Sequence, residues 1–155
     1  MAVEIERKFI VKKGFVPKGS EQIRIAQAYL SSNINSTIRV RLANEKAYLT
    51  VKGKTNGISR LEFEYEIPFE DAEQMMKLSE GVYIDKVRHI YRFEGKKWEV
   101  DVFAGDNEGL IVAECELDSE NEQIILPEWI DAEVSGDPRY HNSYLVCNPY
   151  KTWTS

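Results

Sequence analysis

Hydrophobic and polar residues alternate along most of the chain with the period of two that is typical of β-strands. At the start of the chain, one set of alternate positions is apolar (Val3, Ile5 and Phe9) and the other is charged (Glu4, Glu6 and Lys8). Alternate side chains of a strand point to opposite faces, so two carboxylates and one ammonium group share a face. The same pattern predicts strands at about 3–11, 24–32, 36–43, 46–53, 59–67, 83–93, 96–104 and 110–118.

Short turn sequences separate several of these strands, among them Asn44-Glu45, Asn56-Gly57 and Glu94-Gly95-Lys96. Residues 68–78 predict a helix, with acidic residues in its first turn, an apolar stripe and a stop at Gly81. Weaker helical patterns lie near 119–126 and 138–147. Many antiparallel strands joined by short turns predict a sandwich or a closed barrel. No linker divides the chain, so we expect one domain over residues 1–155.

The polar face of nearly every predicted strand is charged. These faces carry Arg39 and Arg41, Thr50 and Lys52, Arg60 with Glu62, Glu64 and Glu66, Lys86 and Arg88, Glu99 and Asp101, and Glu114 and Glu116. On a single strand, such a face usually meets water on a half-buried sheet. If the sheet closes, one face must point inward, and a barrel of about eight strands has room for a small ligand. Two barrels are then possible, one with an apolar interior and one with a charged interior and apolar outer faces covered by helices.

The distribution of charge favours the second barrel. The basic residues and the paired carboxylates come mostly from different strands, whereas a surface suited to solubility would mix both signs within each strand. Paired carboxylates suit Mg²⁺, which takes one or two protein carboxylates and completes its shell with water and phosphate oxygens. Clustered Arg and Lys suit phosphate. The pattern therefore indicates a site for a metal ion and a polyphosphate.

Composition excludes several other classes of protein. The net charge of −6 argues against a general nucleic-acid-binding protein. The apolar runs are too short to span a bilayer and the N-terminus has acidic residues where a secretory signal needs basic and apolar ones, so we expect a cytoplasmic protein without membrane partners. Cys115 and Cys147 predict neither a disulfide framework nor a zinc site, and both are expected to be buried thiols.

Two further motifs carry little weight. Gly53-Lys54-Thr55 is not a P-loop, because Tyr48 stands where the first glycine of that motif is required. His89 and His141 have no second ligand at zinc spacing, so we expect surface or hydrogen-bonding roles for them.

Seven segments carry a resemblance to a known family: Glu4–Lys8, Ile38–Arg41, Thr50–Lys52, Ser59–Glu64, Lys86–Arg88, Glu99–Gly105 and Ala113–Leu117. The first fits the ExExK signature of the CYTH superfamily, the triphosphate tunnel metalloenzymes, and the others follow in the order of that family. The resemblance covers nearly the whole chain. It implies a mainly β (α+β) fold, an eight-stranded antiparallel β-barrel with a charged interior and a few helices packed outside.

The resemblance also implies an enzyme that binds a triphosphate with Mg²⁺ or Mn²⁺ and hydrolyses it with release of phosphate. Inorganic tripolyphosphate and nucleoside triphosphates are the expected substrates. Cyclisation of ATP by a class IV-type adenylate cyclase, hydrolysis of thiamine triphosphate, and non-catalytic binding of polyphosphate remain alternatives. Exposed strand edges and the habits of this family are consistent with a homodimer.

By position, the resemblance implies roles for individual residues. The implied metal ligands are Glu4, Glu6, Glu114 and Glu116, with Glu62 and Glu64 supporting the metal or water. The implied triphosphate ligands are Lys8, Arg39, Arg41, Lys52, Arg60, Lys86 and Arg88. The segment Gln27–Leu30 resembles the short bacterial tripolyphosphatases, which makes Tyr29 and Lys86 the expected catalytic pair. His141 lies in a segment that resembles the closing helix of the family, at a position where a lysine is expected.

Overall fold

The computed structural model describes residues 3–33, 35–79 and 83–153. Within these residues, nine strands form one antiparallel sheet: β1 (Val3–Val11), β2 (Glu21–Asn33), β3 (Ser36–Ala43), β4 (Lys46–Gly53), β5 (Ser59–Ile67), β6 (Ile84–Phe93), β7 (Lys96–Phe103), β8 (Ile111–Glu116) and β9 (Ile130–Glu133). Two α-helices, α1 (Phe69–Met76) and α2 (Asn142–Cys147), and three short 3₁₀ turns accompany the sheet.

Eight of the strands close into a barrel. Their order is β5-β4-β3-β2-β6-β7-β8-β1, and β1 pairs again with β5 to complete the ring. The closing ladder joins Val3 to Leu61 and Glu4 to Arg60. The short β9 pairs with β1 further along, at Phe9 and Val11, so it lies beside the ring rather than in it. The predicted eight-stranded antiparallel barrel is confirmed, and β9 is an addition that the sequence pattern did not predict.

Strand pairing brings charged residues together on one face. Directly opposite residues of an antiparallel pair project to the same side of the sheet. The register places Glu6 opposite Glu116, Lys8 opposite Glu114, Lys52 opposite Glu62, and Arg88 opposite Asp101. These side chains form the inner face of the barrel, as the second of the two predicted arrangements requires.

The apolar faces of the strands point outward and pack into three clusters. One cluster centres on Phe9 and the fully buried Trp98. A second packs Leu145 of α2 against the ends of β6, β7 and β8, and a third packs Met76 of α1 against β2, β3 and β4. Burying a large apolar side chain stabilises a fold by about 1.5–3 kcal/mol. These outer clusters therefore supply the hydrophobic stabilisation that the charged interior does not.

Some local predictions were wrong. Residues 119–126 form a turn followed by irregular chain rather than a helix. The predicted helix at 68–78 is α1, which ends at Met76, and the expected stop at Gly81 lies outside the described residues. Cys115 is buried as predicted, but Cys147 is exposed, because α2 turns Leu145 and Val146 toward the core instead. In the described ranges, no helix has the length and apolar character needed to cross a membrane.

Candidate active site inside the barrel

The inner face of the barrel surrounds a cavity of about 200 Å³. Eight basic and seven acidic side chains line it: Lys8, Arg39, Arg41, Lys52, Arg60, Lys86, Arg88 and Lys97, with Glu4, Glu6, Glu62, Glu64, Glu99, Glu114 and Glu116. The remaining wall includes Tyr29, Thr37 and the C-terminal residues 141–143. Every residue that the sequence predicted for the site therefore lines this one cavity, as would be needed for joint action on one ligand.

All seven glutamates of the cavity lie on one arc of the ring, whereas five of the eight basic side chains lie on the other. The adjacent strands β4, β3, β2 and β6 carry only basic charges toward the cavity: Lys52, Arg39, Arg41, Lys86 and Arg88. The other four strands, β5, β1, β8 and β7, carry all seven glutamates, together with Lys8, Arg60 and Lys97. We call these the basic arc and the acidic arc. An anion and a cation can accordingly bind at facing walls of the same cavity.

On the basic arc, Lys86 and Arg88 share one buried carboxylate, that of Asp101 on β7. Lys86 Nζ lies 2.8 Å from Asp101 Oδ2. Arg88 donates to the same carboxylate from Nε at 2.8 Å and from Nη2 at 2.9 Å. Burial raises the pKa of Asp101, but the positive charges of Arg88 and Lys86 outweigh burial and bring the pKa down to about 2. Asp101 is therefore a fixed anion that orients both basic groups.

Lys86 holds its proton less tightly than an ordinary lysine. Burial lowers its pKa from 10.5 to about 7, and the positive charges of Arg88 and Arg41 act in the same direction, against the opposing effect of Asp101. Its ammonium group also donates to Asn142 Oδ1 at 2.9 Å. A bound phosphate would raise the pKa again, because nearby negative charge favours the ammonium form. Binding of a polyanion is therefore coupled to protonation of Lys86.

The two arginines of β3 complete the basic arc. Arg41 Nε donates to Gln27 Oε1 at 2.9 Å, and burial, with the charge of Arg39 second, lowers the pKa of Arg41 to about 9. Arg39 Nη2 lies 3.4 Å from Glu64 Oε2, while its buried Nε has no hydrogen-bond partner among the described residues. An unsatisfied buried donor costs about 1–3 kcal/mol. Both guanidinium groups are therefore poised to be stabilised by an anion.

The carboxylates of the acidic arc differ in their surroundings. Lys52 Nζ lies 3.3 Å from Glu4 Oε1 and 3.0 Å from Glu62 Oε2. Burial raises the pKa of Glu4, but the positive charges of Lys52 and Arg60, together with hydrogen bonds from Glu62 and Lys52, outweigh burial and hold the pKa well below the usual range. Burial raises the pKa of Glu114 as well, but the combined positive charges of Lys8, whose Nζ lies 3.6 Å from Glu114 Oε1, of Arg88 and of Lys86 outweigh burial and lower the pKa. These two glutamates are stable anions.

Glu6 and Glu116 are crowded by other carboxylates instead. Burial is the main cause that raises the pKa of Glu6 well above its usual value, and the negative charges of Glu114 and Glu4 raise it further. The pKa of Glu116 is raised by burial and by Glu4 and Glu99. Crowded carboxylates are relieved by a cation placed between them. The acidic arc is thus a set of oxygen donors with a deficit of positive charge.

The carboxylate oxygens of the acidic arc fit a hard divalent cation that fills the rest of its coordination shell with water and phosphate oxygens. Among the described residues, no three or more His, Cys, Asp or Glu side chains are arranged as a metal site of their own. Mg²⁺ does not require such a cage, because it is usually held by one or two carboxylates and by waters and substrate phosphates. The carboxylates that face each other across β1 and β8 meet that requirement.

Several polar residues of the site were given no role from the sequence, among them Asp101, Gln27 and Asn142. Asp101 was placed on an inner strand face but was given no role, because only the β6–β7 register shows that it stands opposite Arg88. Gln27 and Asn142 bind to each other and to basic residues of the cavity. Asn142 lies on a short helix outside the strand pattern, so no periodicity signals its position.

The two histidines lie in different surroundings. His89 is a hydrogen-bonding residue, whose Nδ1 accepts from the backbone N–H of Gly19 at 3.1 Å. His141 lines the cavity, and burial, with the charges of Lys8 and Arg60, lowers its pKa to about 4. His141 is therefore neutral near pH 7, so it supplies no positive charge at the position where a lysine was expected.

The chain is similar to inorganic triphosphatases along nearly its whole length. It is 49% identical over 154 residues to an inorganic triphosphatase of Acetivibrio thermocellus, covering 99% of both chains. It is 34% identical over 148 residues to an inorganic triphosphatase of Nitrosomonas europaea, covering 92% of this chain and 96% of the relative. A crystal structure of an inorganic triphosphatase matches with a TM-score of 0.68 at 31% identity, covering 94% of this chain and 95% of that one. Residues 2–141 match the CYTH domain, and the chain belongs to the CYTH domain family.

Proposed function

We propose that this protein is a divalent-metal-dependent triphosphatase that binds inorganic tripolyphosphate inside the barrel and hydrolyses it with release of phosphate. The observation that carries the proposal is the cavity with facing basic and acidic arcs. The names of the two relatives and of the structural neighbour support inorganic tripolyphosphate as the substrate. Nucleoside triphosphates present the same terminal phosphates and are a second substrate class for the same site.

The basic arc would hold the phosphates. Arg39 and Arg41 offer planar groups that bind phosphate oxygens in pairs, and Lys52 offers a compact charge. Their charges are at present balanced within the cavity, where eight basic side chains face seven acidic ones. A polyanion with several negative charges would upset that balance. Binding of triphosphate is therefore expected to need additional positive charge.

A divalent cation, Mg²⁺ or Mn²⁺, would supply that charge. Glu4, Glu6, Glu114 and Glu116 would hold it, supported by Glu62 and Glu64. When bound, such a cation neutralises phosphate oxygens and lowers the pKa of a coordinated water. The crowding that raises the pKa of Glu6 is the property expected of a residue that meets a cation in the working enzyme.

Lys86 and Tyr29 would act on the leaving group. Phosphoryl transfer depends on alignment of the attacking and leaving oxygens and on neutralisation of charge. Bound phosphate favours the ammonium form of Lys86, which can then give its proton to the leaving phosphate oxygen, and Asp101 keeps the ammonium group in place. Tyr29 lines the same cavity and would orient that oxygen.

A phosphate-release panel tests the proposal. The substrates are tripolyphosphate, ATP, GTP and thiamine triphosphate, each with Mg²⁺, with Mn²⁺ and with excess chelator, and the ATP products are analysed for cyclic AMP. We expect metal-dependent release of orthophosphate from tripolyphosphate. Release that persists in chelator would refute the metal requirement, cyclic AMP would assign a cyclase, and tight binding without turnover would indicate a binding module.

A matched pair of variants ties the activity to the cavity. Arg39→Ala removes a buried guanidinium from the basic arc, whereas Arg24→Ala removes an exposed one on the outside, where it lies 3.9 Å from Asp85. We expect the first variant to lose most activity and the second to keep it. Equal activity of the two variants would contradict phosphate binding at the basic arc.

A further inference from the structure

We propose that Asn142 is a positioning residue that holds Lys86 and, through Gln27, Arg41 in the orientation needed for catalysis. The proposal rests on the triphosphatase function proposed above and adds to it a residue of α2 to which no role has been assigned. It is carried by a chain of hydrogen bonds that crosses from the C-terminal helix to two strands of the basic arc.

Each link of that chain is short. Asn142 Oδ1 accepts from Lys86 Nζ at 2.9 Å and from Gln27 Nε2 at 3.0 Å. Gln27 Oε1 in turn accepts from Arg41 Nε at 2.9 Å. Lys86 and Gln27 are fully buried, so these groups have few alternative partners. The amide oxygen of Asn142 therefore fixes Lys86 on β6 directly, and it fixes Arg41 on β3 through Gln27 of β2.

An asparagine has the properties that this place requires. Its amide oxygen carries two lone pairs, enough for both donors, and accepting from them turns the NH₂ group away. The group is neutral, whereas an aspartate would place a second carboxylate beside Asp101, close to where phosphate is expected to bind. Asn142 thus orients Lys86 without weakening the positive field of the basic arc.

The helix is anchored firmly enough to serve as a support. Leu145 is fully buried and Val146 nearly so, and both pack in the cluster at the ends of β6, β7 and β8. Just before the helix, the carbonyl oxygen of Tyr140 accepts from Lys8 Nζ at 3.1 Å. The segment from Pro138 to Cys147 therefore binds two cavity lysines through uncharged oxygens.

Removal of the Asn142 acceptor should affect turnover more than binding. Lys86 would keep Asp101 but lose the contact that fixes its direction, while Arg39, Lys52 and Arg88 would still hold the phosphates. Misplacement of a catalytic group by about 1 Å costs up to about 100-fold in rate. For Asn142→Ala we expect kcat to fall roughly 10- to 100-fold and KM to change less than about threefold.

The experiment measures kcat and KM for tripolyphosphate hydrolysis, with melting temperatures, in wild type and four variants. Asn142→Asp keeps an acceptor, so we expect a kcat well above that of Asn142→Ala, with a raised KM because its charge repels phosphate. Asn142→Leu keeps a side chain of similar size without the acceptor, so the loss of kcat can be measured in this variant if Asn142→Ala does not fold. Asn148→Ala is the control, since it removes an exposed asparagine from the end of the same helix and should leave kcat unchanged.

The outcomes are distinguishable. A kcat for Asn142→Ala or Asn142→Leu that equals that of Asn148→Ala would overturn the positioning role, and so would an Asn142→Asp as slow as Asn142→Ala. A wild-type protein that releases no phosphate with any metal would refute the triphosphatase function itself, because that result does not depend on Asn142.

Discussion

The substitution Asp101→Asn tests whether the interior of this barrel is stabilised by its charges. Asp101 is 1% exposed and receives three short contacts, two from Arg88 and one from Lys86. Asparagine keeps the shape of the side chain and removes its charge, so it imitates the protonated acid. The expected result is a less stable protein, since two buried cations then lose their common counter-charge.

The size of the effect follows from the proton affinity of the carboxyl group. Its pKa is 3.8 in the unfolded reference and about 2 in the fold. Each tenfold change in proton affinity corresponds to about 1.4 kcal/mol, so the ionised form stabilises the fold by roughly 2 kcal/mol. For a chain of this length, that loss lowers the melting temperature by about 4–8 °C.

The dependence on pH gives the sharper test. Because folding lowers this pKa, the stabilisation is fully present above about pH 4 and disappears as the pH falls toward 2. Thermal or urea unfolding should therefore show wild type more stable than Asp101→Asn at pH 7, with the difference shrinking between pH 4 and pH 2. The control is Asp106→Asn, which removes a partly exposed carboxylate 2.7 Å from Lys151 and should cost less than about 1 kcal/mol.

Two results would refute this reasoning. One is a pH 7 stability of Asp101→Asn equal to that of Asp106→Asn. The other is a difference from wild type that stays constant down to pH 2, because the cost would then reside in packing rather than in the charge.

Three further predictions concern single groups. Lys86→Ala should lower kcat far more than it weakens tripolyphosphate binding measured by calorimetry, and equal losses would rule out a role in proton transfer. Glu6→Gln should raise the melting temperature of the metal-free protein by a few degrees, because it removes a buried ionisable group crowded by Glu114. The same variant should gain less stability than wild type when Mg²⁺ is added. A Glu6→Gln variant that melts at a lower temperature than wild type without metal would contradict this prediction. In the native protein, a thiol reagent should modify the exposed Cys147 and spare the buried Cys115 until unfolding, as peptide mapping would show.

The strands of the barrel were predictable because each has two faces of different chemistry. For β3, β4 and β5 the predicted bounds, 36–43, 46–53 and 59–67, agree with the structure residue for residue. An alternation of large apolar and charged residues defines such a strand until a turn such as Asn44-Glu45 interrupts it. The same alternation indicated that the charged site residues share the inner face, whereas Tyr29 was assigned by the resemblance of its segment; all of them line the cavity.

Other features depend on contacts between distant segments. The four-residue β9 is defined by its pairing with β1, which residues 130–133 alone do not show. The sequence separated the charges by strand, but Asp101 binds two cations of the neighbouring strand because of the β6–β7 register. Asn142 reaches Lys86 because the outer cluster around Leu145 fixes α2 across the ring. Local pattern predicted the strands and their inward faces, while the partners of each buried charge came from tertiary structure.

The position of β1 in the ring also governs the order in which the protein is assembled. β1 is synthesised before the other strands of the ring, yet its partners in the ring are β5 and β8, so Glu6 cannot pair with Glu116 until β8 has been synthesised. Strand pairs that are so far apart in sequence form slowly, because the intervening chain loses conformational entropy before the pairing contacts stabilise it. During synthesis, β2 to β5 can pair in succession as neighbouring hairpins, β6 can then pair with β2 and β7 with β6, while β1 still lacks β8. The nascent sheet therefore remains open, and the charged wall meets water, until the last strand of the ring emerges and the first strand joins it.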